Sequence, residues 1–326
     1  LELRMKMPLF TISSKALKKY IKYLTIFCLG FILIDQSTAW MLGINYKKIY
    51  SGPGRYNYIR ENRYDCLVMG SSTSTCYYSD ILSKELGVSV LNVGLDGCSL
   101  IYSRCLLEYV LIHKVKPEII LLNIDLFEFL TTAWSGNFYS RIEQLRPLYG
   151  QSSYIDSALL MGEPWAVLKY LVSSYKFNDL PLSILIKRIK SEKRYERERS
   201  PQGVLKIPID AKTLNEKFGN KGKVDSRKMD LLREFIMVCK SNHIKLICVE
   251  SPKYYPGMRI SREEYDVVAQ VELLSEDQEI PYLRITQEYY NEFQTNKVFK
   301  DVLHLNNKGS IIFSNILCHE LIKIGL

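Results

Sequence analysis

The sequence predicts an α/β protein: a doubly wound, mainly parallel sheet flanked by helices, with an N-terminal transmembrane helix and a mid-chain insertion. Three observations lead to this prediction. Short apolar runs alternate with segments of helical periodicity from about residue 65, which is typical of parallel sheets. The apolar run 118–125 is continuous, as expected for a strand that is buried on both faces. The stretch Tyr23–Tyr46 is almost entirely apolar, and its one charged residue is Asp35.

Composition and charge exclude several classes of protein. The 326 residues are 47% hydrophobic and 24% charged, which is the balance of a globular protein. The mean hydropathy of −0.07 excludes a polytopic membrane protein. The net charge of +9 is concentrated, because residues 1–22 contain six basic residues and one acidic residue. A basic segment beside an apolar stretch indicates membrane topology, so a nucleic-acid partner is disfavoured.

The apolar stretch Tyr23–Tyr46 is long enough for a helix that crosses a hydrocarbon core of about 30 Å. Four lysines between positions 15 and 22 precede it, so the positive-inside rule places residues 1–22 in the cytoplasm and residues 47–326 outside. Two alternatives stay open. One is a cleaved signal peptide, with Ser37-Thr38-Ala39 as the cleavage site, and the other is a buried helix of a soluble protein. We adopt a single-pass anchor (in effect an uncleaved signal) in the cytoplasmic, or inner, membrane.

The alternating elements can be assigned from periodicity and from the Gly and Pro residues between them. The predicted strands are 65–69, 88–93, 118–125, 244–250 and 281–286. The predicted helices are 78–85, 99–113, 226–241, 262–274 and 308–324.

Residues 130–225 break this rhythm and are predicted to be an insertion. The segment is rich in aromatic and polar residues, and Lys187–Arg199 has ten charged residues in thirteen. We interpret the charge run as a solvated helix or loop. The aromatic residues either pack the insertion or shape a cleft that faces carbohydrate.

The eight cysteines show no metal-binding spacing and no C-x-x-C pair. Most of them lie within apolar runs, where a free cysteine behaves as a small hydrophobic residue. We therefore predict buried structural thiols and no metal site.

Two short motifs carry the candidate chemistry. Gly70-Ser71-Ser72 follows the first predicted strand and precedes a helix, which is where open α/β sheets bind ligands. Asp301 and His304 lie three residues apart, before the last helix. A serine nucleophile needs a base, and the base needs an acceptor that orients it. Each motif alone is common, as a helix cap or a surface pair, but their combination predicts that His304 lies within hydrogen-bond reach of a serine.

With these motifs, the chain resembles the SGNH (GDSL-like) hydrolase superfamily, in particular its membrane-anchored bacterial branch related to acyl transfer on cell-envelope polymers. The resemblance identifies Ser72 as the nucleophile, and Asp301 and His304 as the rest of a catalytic triad. It also matches Asn92-Val93-Gly94-Leu95-Asp96-Gly97 to the second motif of the family. That match makes the N–H groups of Ser72 and Gly97 the expected oxyanion donors, in a flavodoxin-like SGNH fold.

The sequence departs from the family pattern at two places. Ser71 stands where the G-D-S motif has aspartate, a change that the anchored branch shows. The third motif, G-x-N-D, would place its oxyanion-donating asparagine at Phe127, which has no side-chain donor; Asn123 lies nearby. The rival α/β-hydrolase motif G-x-S-x-G fits less well, because Ser74 stands at its last glycine.

The resemblance implies a serine esterase or O-acyltransferase that acts on acyl esters, most simply acetyl esters, of an envelope or secreted polysaccharide. It implies no metal and no cofactor. The alternative is a non-catalytic accessory protein with the same fold, which works with partners in a polysaccharide assembly complex. The missing asparagine favours the accessory protein, and the presence of Ser72, Asp301 and His304 favours the enzyme.

Overall fold

The computed structural model describes residues 14–48, 54–131, 138–178, 222–254 and 262–326. Its helices are α1 (Ser14–Tyr46), α2 (Arg55–Glu61), α3 (Ser79–Leu86), α4 (Leu100–Ile112), α5 (Ser153–Gly162), α6 (Ala166–Lys169), α7 (Ser226–Ser241), α8 (Arg262–Asp277) and α9 (Asn307–Lys323). Its strands are β1 (Cys66–Met69), β2 (Val90–Asn92), β3 (Ile119–Asn123), β4 (Lys245–Glu250) and β5 (Tyr282–Arg284).

The five strands form one parallel sheet in the order β2-β1-β3-β4-β5. This confirms the predicted fold class. The order reverses between β1 and β3, and such a reversal opens a crevice beyond the carboxyl ends of the strands, where α/β proteins bind ligands. The residues that follow β1 and β3 are therefore the ones that the fold places at a candidate site.

The two faces of the sheet are buried by different helices, which explains the continuous apolar strands. In β1, Leu67 and Met69 point into one apolar cluster, and Cys66 and Val68 point into the other. The first cluster includes residues of α1, α2, α4, α7 and α8. The second cluster includes residues of α3 and α9.

The cysteines are free, and seven of the eight are buried. Cys28 is exposed on α1, so the prediction of a buried thiol is wrong for this residue.

Strand β2 is shorter than predicted. Asp65 accepts hydrogen bonds from both the backbone N–H and the hydroxyl of Ser89, each at 2.7 Å. These side-chain bonds tie residue 89 to the start of β1, and the ladder pairs only Val90–Asn92 with β1.

Helix α1 is long and apolar enough to cross a membrane. It begins at Ser14, nine positions before the predicted span, since the Lys-, Ala- and Leu-rich segment ahead of Tyr23 favours helix. Its exposed apolar side chains run from Leu17 to Ile44. From Asp35 onward one side of the helix is packed on the domain, and Leu42 and Tyr46 join its core.

The predicted insertion leaves and re-enters the core at one place. Leu130 and Val224 form an antiparallel bridge, and the Asp225 N–H donates to the Phe129 carbonyl at 2.7 Å. The described part, residues 138–178, contributes Leu145 and Leu159 to the same apolar cluster as the sheet. This part is therefore packed on the α/β core. The charge run Lys187–Arg199 lies outside the described residues.

Candidate active site

Ser72 lies in the turn that follows β1, at the reversal of strand order. Gly70 makes this turn possible, because its φ of +142° is a conformation that few other residues adopt. A Cβ atom at position 70 would also lie only 2.8 Å from the Cβ of Asn123 on the neighbouring strand. Ser72 then begins a 3-10 helix, Ser72–Cys76. The side chain of Ser72 is half-buried, so it lies in the crevice with access from outside.

His304 lies directly against Ser72. Its Nε2 is 2.8 Å from the Ser72 Oγ, which is the distance of a normal hydrogen bond. Its Nδ1 is 2.8 Å and 2.9 Å from the two carboxylate oxygens of Asp301. A carboxylate can only accept, so Nδ1 carries the hydrogen and Nε2 is free to accept the proton of Ser72. The structure therefore brings the three predicted site residues into one hydrogen-bonded line.

The Asp301 carboxylate is held in place by the backbone of its own loop. Its Oδ1 accepts from the N–H groups of Leu303 at 2.9 Å and His304 at 3.0 Å. Burial raises the pKa of Asp301, but the hydrogen bond from the His304 ring and these two N–H groups outweigh burial and hold that pKa below its usual value. Asp301 thus remains ionised across the neutral range and can stabilise a positive imidazole.

The motif that follows His304 fixes the loop against α9. Asn306 is the N-cap of α9, and its Oδ1 accepts from the Gly309 N–H at 3.0 Å. The Asn306 amide also donates to the carbonyls of Lys297 at 2.9 Å and Phe299 at 3.3 Å. A Cβ at Gly309 would overlap the Val298 carbonyl oxygen, so only glycine permits this approach. The segment Leu305-Asn306-Asn307-Lys308-Gly309 therefore supports the His304 loop.

The loop that contains Gly97 adjoins the Ser72 turn. The Leu95 N–H and the Cys98 thiol both donate to the Gly70 carbonyl, at 3.0 Å and 3.2 Å. Gly97 has a φ of +68°, and within the described residues its N–H donates no hydrogen bond. The Ser72 N–H is the first of its 3-10 helix, a position without an intrahelical acceptor. Both predicted oxyanion donors thus have N–H groups that no backbone acceptor among the described residues uses.

A cavity of about 420 Å³ reaches Gly97. It is lined by Gly97, Tyr139, Arg141, Ile142, Gly162 and Glu163, together with two further residues of the segment 138–178. The described part of the insertion therefore supplies seven of the eight lining residues, and Gly97 is the lining residue that adjoins the Ser72 turn.

Asn123 does not replace the asparagine that is missing at Phe127. It is buried at the end of β3, and its amide donates to the Thr73 hydroxyl at 2.7 Å. Its carbonyl oxygen accepts from the Tyr77 hydroxyl at 3.0 Å. Both the oxygen and the nitrogen of the side-chain amide are thus hydrogen-bonded beneath the Ser72 turn. Asn123 therefore positions the turn.

Lys253 is a residue of this region that motif analysis missed. It follows β4, is almost fully buried, and its Nζ lies 2.9 Å from Asp125 Oδ1 and 4.0 Å from the centre of the Phe127 ring. Burial lowers the pKa of Lys253, but the carboxylates of Asp125, Glu264 and Glu250 outweigh it and raise that pKa. The Asp125 Oδ2 lies 3.5 Å from the Ser71 Oγ. The sequence does contain one indication of this role, because Lys253 is a polar residue just after the fourth strand, at the same edge of the sheet as Ser72.

The described residues contain no group of three or more His, Cys, Asp or Glu side chains that could hold a metal ion. A serine hydroxyl can be activated by an imidazole that a carboxylate orients.

Comparisons with known proteins identify distant structural neighbours. No family model matches the chain, and no curated protein matches it. An acetylxylan esterase from Geobacillus stearothermophilus is 12% identical, with a TM-score of 0.43, over 80% of this chain and 94% of the other. A GDSL-like lipase from Bacteroides thetaiotaomicron is 12% identical, with a TM-score of 0.41, over 84% and 98%. A lipase/acylhydrolase from Enterococcus faecalis is 13% identical, with a TM-score of 0.39, over 80% and 95%.

One of these neighbours is a GDSL-like lipase, which is the class of protein that the sequence motifs resemble, and the other two are an esterase and a lipase/acylhydrolase. Their identities and TM-scores are too low to assign an activity or a substrate to this chain. The geometry of Ser72, His304 and Asp301 is the basis of the functional proposal.

Proposed function

We propose that the chain is a membrane-anchored serine esterase or O-acyltransferase of the SGNH type, with Ser72, His304 and Asp301 as its triad. The observation that carries this proposal is the 2.8 Å distance between His304 Nε2 and Ser72 Oγ, with Asp301 bound to the opposite ring nitrogen. This is the arrangement in which a hydroxyl becomes a nucleophile at neutral pH.

The reaction begins when Ser72 Oγ attacks an ester carbonyl and its proton passes to His304 Nε2. Asp301 stabilises the resulting imidazolium and keeps the ring oriented. The N–H groups of Ser72 and Gly97 donate to the oxyanion, and such a donor is typically worth about 3 kcal/mol. The tetrahedral intermediate collapses, the alcohol leaves with the proton from His304, and an acyl-enzyme remains. Water then completes hydrolysis, or a sugar hydroxyl completes transfer.

We propose an acyl ester of an envelope or secreted polysaccharide, most simply an acetyl ester, as the substrate. The cavity beside Gly97 supports this proposal, because Tyr139 provides an aromatic surface and Arg141 and Glu143 provide polar groups. Sugars are bound by such combinations of ring faces and hydrogen-bonding groups.

We also propose that α1 is retained as an anchor in the cytoplasmic membrane, with the domain on the extracytoplasmic side. The packing of α1 supports retention over cleavage. The helix runs without interruption through Ser37-Thr38-Ala39, and Asp35 and Tyr46 are buried against the domain. Cleavage at residue 39 would remove Asp35 from the hydrogen bonds that it makes with the insertion.

The test is hydrolysis of p-nitrophenyl acetate by the full chain in mild detergent. We expect Ser72→Ala to lower kcat/KM by at least about 10³-fold, because it removes the nucleophile. Ser71→Ala is the matched control: its hydroxyl faces Asp125 rather than His304, so activity should stay within about tenfold. A Ser72→Ala variant as active as Ser71→Ala would contradict the proposal.

The second candidate is a non-catalytic accessory protein of a polysaccharide assembly complex, which is favoured by Phe127 at the position of the missing asparagine donor. Such a protein would not hydrolyse or transfer an acyl group. Its Ser72→Ala variant would support polymer modification in cells as well as the natural chain does.

A further inference from the structure

The buried charge in the membrane helix leads to an inference about how the domain meets the bilayer. Asp35 is only 7% exposed, although it lies in the apolar part of α1. Its carboxylate accepts from the N–H groups of Ser173 at 2.7 Å and Ser174 at 2.9 Å, and from the Ser174 hydroxyl at 2.7 Å. These donors belong to the 3-10 helix Ser173–Phe177 of the insertion. Asp35 therefore joins the membrane helix to the domain.

The depth of this joint follows from helix geometry. Asp35 lies 13 residues after Lys22, which is about 20 Å along a helix that rises about 1.5 Å per residue. A hydrocarbon core is about 30 Å thick. If Lys22 marks the cytoplasmic boundary, Asp35 lies about 10 Å short of the outer boundary, and counting from Lys18 still leaves it about 5 Å short. The part of the domain that contacts Asp35 must therefore lie within the outer leaflet.

The direction of the insertion along α1 shows which residues lie at this depth. Ser174 contacts Asp35, whereas the Phe177 ring lies 5.7 Å from the Tyr46 ring. The 3-10 helix thus runs parallel to α1, away from the apolar end. The residues that come before Ser173 are therefore on the membrane-proximal side of the joint.

Those residues form an exposed apolar surface. Within 161–171, Trp165 is 78% exposed, Leu171 75%, and Leu168 60%. We call this surface the apolar corner and define it as Met161, Trp165, Val167, Leu168 and Leu171. Soluble surfaces rarely keep so many large apolar side chains together unless something covers them.

The charged residues within the same segment, Glu163 and Lys169, are both paired. Glu163 is buried and accepts from Arg146 Nε at 2.7 Å, and Lys169 Nζ lies 3.8 Å from its other oxygen. The Tyr175 hydroxyl donates to Glu163 as well, at 2.9 Å. Charges satisfied in this way can lie next to lipid, where an unpaired charge would be costly.

We propose that the apolar corner inserts into the outer leaflet of the membrane beside α1, so that the domain is partly embedded in the bilayer. This proposal rests on the proposed anchor and deepens it. The corner comes just before the 3-10 helix that contacts Asp35, and the depth of about 5–10 Å calculated for that contact is the depth of interfacial helices. Trp165 and Trp40, which is 71% exposed on α1, are residues typical of the membrane interface. Since Glu163 also lines the cavity at Gly97, the embedded corner places that cavity near the lipid surface.

The test uses tryptophan quenching in the full chain, which contains three tryptophans. The variant Trp40→Phe/Trp134→Phe leaves Trp165 as the only fluorophore. The chain is reconstituted into phosphatidylcholine vesicles whose acyl chains carry bromine near the headgroup or near the bilayer centre. We expect Trp165 emission to be quenched by the shallow bromines more than by the deep ones, with circular dichroism unchanged.

Two matched variants make the result decisive. Ile322→Trp, with all three natural tryptophans changed to Phe, places an exposed fluorophore on α9, which packs on the opposite face of the sheet. It should not be quenched. Trp134→Phe/Trp165→Phe reports on α1 through Trp40. If Trp40 is quenched but Trp165 is not, α1 is a membrane anchor but the apolar corner does not enter the bilayer, so the proposal fails. A protein partner would then be expected to cover the apolar corner. If neither is quenched, the anchor and the proposal both fail.

Discussion

His304 Nε2 lies 2.8 Å from Ser72 Oγ, although 232 positions separate the two residues in the sequence. Ser72 follows the first strand, and His304 precedes the last helix. The fold joins them because α9 packs against α3 and against the 3-10 helix that begins at Ser72. Contact between two such distant motifs is what the proposed chemistry requires.

Asp301→Asn should impair the reaction more than it impairs folding. The amide can present its oxygen or its N–H to His304, so the tautomer with a free Nε2 is no longer fixed. We expect kcat/KM for p-nitrophenyl acetate to fall by about 10³- to 10⁴-fold, with thermal unfolding nearly unchanged. Asp277→Asn, an acidic residue at the end of α8, is the control, and it should retain full activity. Equal activity of the two variants would show that Asp301 has no catalytic role.

Lys253→Met should destabilise the sheet edge below the Ser72 turn. It leaves the Asp125 carboxylate, whose side chain is only 15% exposed, without its cation. Removal of one partner of a buried ion pair lowers the free energy of unfolding by about 3–5 kcal/mol. Denaturant unfolding in mild detergent measures this change. The double variant Lys253→Met/Asp125→Asn should recover part of the loss, and a double variant that is less stable than Lys253→Met alone would refute the pairing.

Gly94→Ala should disturb the turn that carries Ser72. A Cβ at this position would overlap the Ser74 Oγ, and Ser74 is fully buried and donates to the Ser71 carbonyl at 2.6 Å. Overpacking of this kind typically costs about 1–3 kcal/mol. We expect at least a tenfold loss of kcat/KM together with a lower Tm. Gly30→Ala, with no atom within 4 Å of the new Cβ, should behave like the natural chain.

Glu128 should make stability depend on pH. Burial and the neighbouring Asp125 carboxylate raise the pKa of Glu128 from 4.5 to about 8, and the Leu100 N–H and Lys228 offset this only in part. Between these two values the folded chain holds a proton that the unfolded chain has lost. The free energy of unfolding should therefore fall as pH rises from about 4.5 to 8, by at most about 1.4 kcal/mol per pH unit.

Glu128→Gln should flatten this dependence, because the amide does not titrate. Denaturant unfolding at several pH values compares the two chains. An equal slope in both would show that Glu128 is ionised in the folded state.

The sequence was sufficient for the fold class and for five strands near their observed positions. The buried run 118–125 predicted a central strand, and β3 lies in the middle of the sheet. The sequence also pointed to Ser72 and to His304 with Asp301, because a polar residue after a strand and a carboxylate beside a histidine are local patterns. Local patterns of this kind can be recognised without knowledge of the tertiary structure.

Roles that depend on contacts between distant segments could not be predicted. Asp35 is the one charged residue in the apolar stretch Tyr23–Tyr46, and its contact with Ser173 and Ser174 explains it. Lys253 lies 128 positions from Asp125, and no motif links the two residues. Asn123 lies near Phe127 in the sequence, but its amide donates to Thr73, a contact that the sequence does not indicate.

Covalent labelling tests the central claim, that Ser72 is an activated nucleophile, most directly. The full chain in detergent is treated with a small fluorophosphonate, digested, and analysed by mass spectrometry, so that neither acyl donor nor acceptor needs to be known. We predict one phosphonyl adduct on the peptide that contains Ser72. The adduct should persist in Ser71→Ala and be lost in Ser72→Ala and His304→Ala. A folded natural chain without the adduct, or an adduct that survives in Ser72→Ala, would contradict the account.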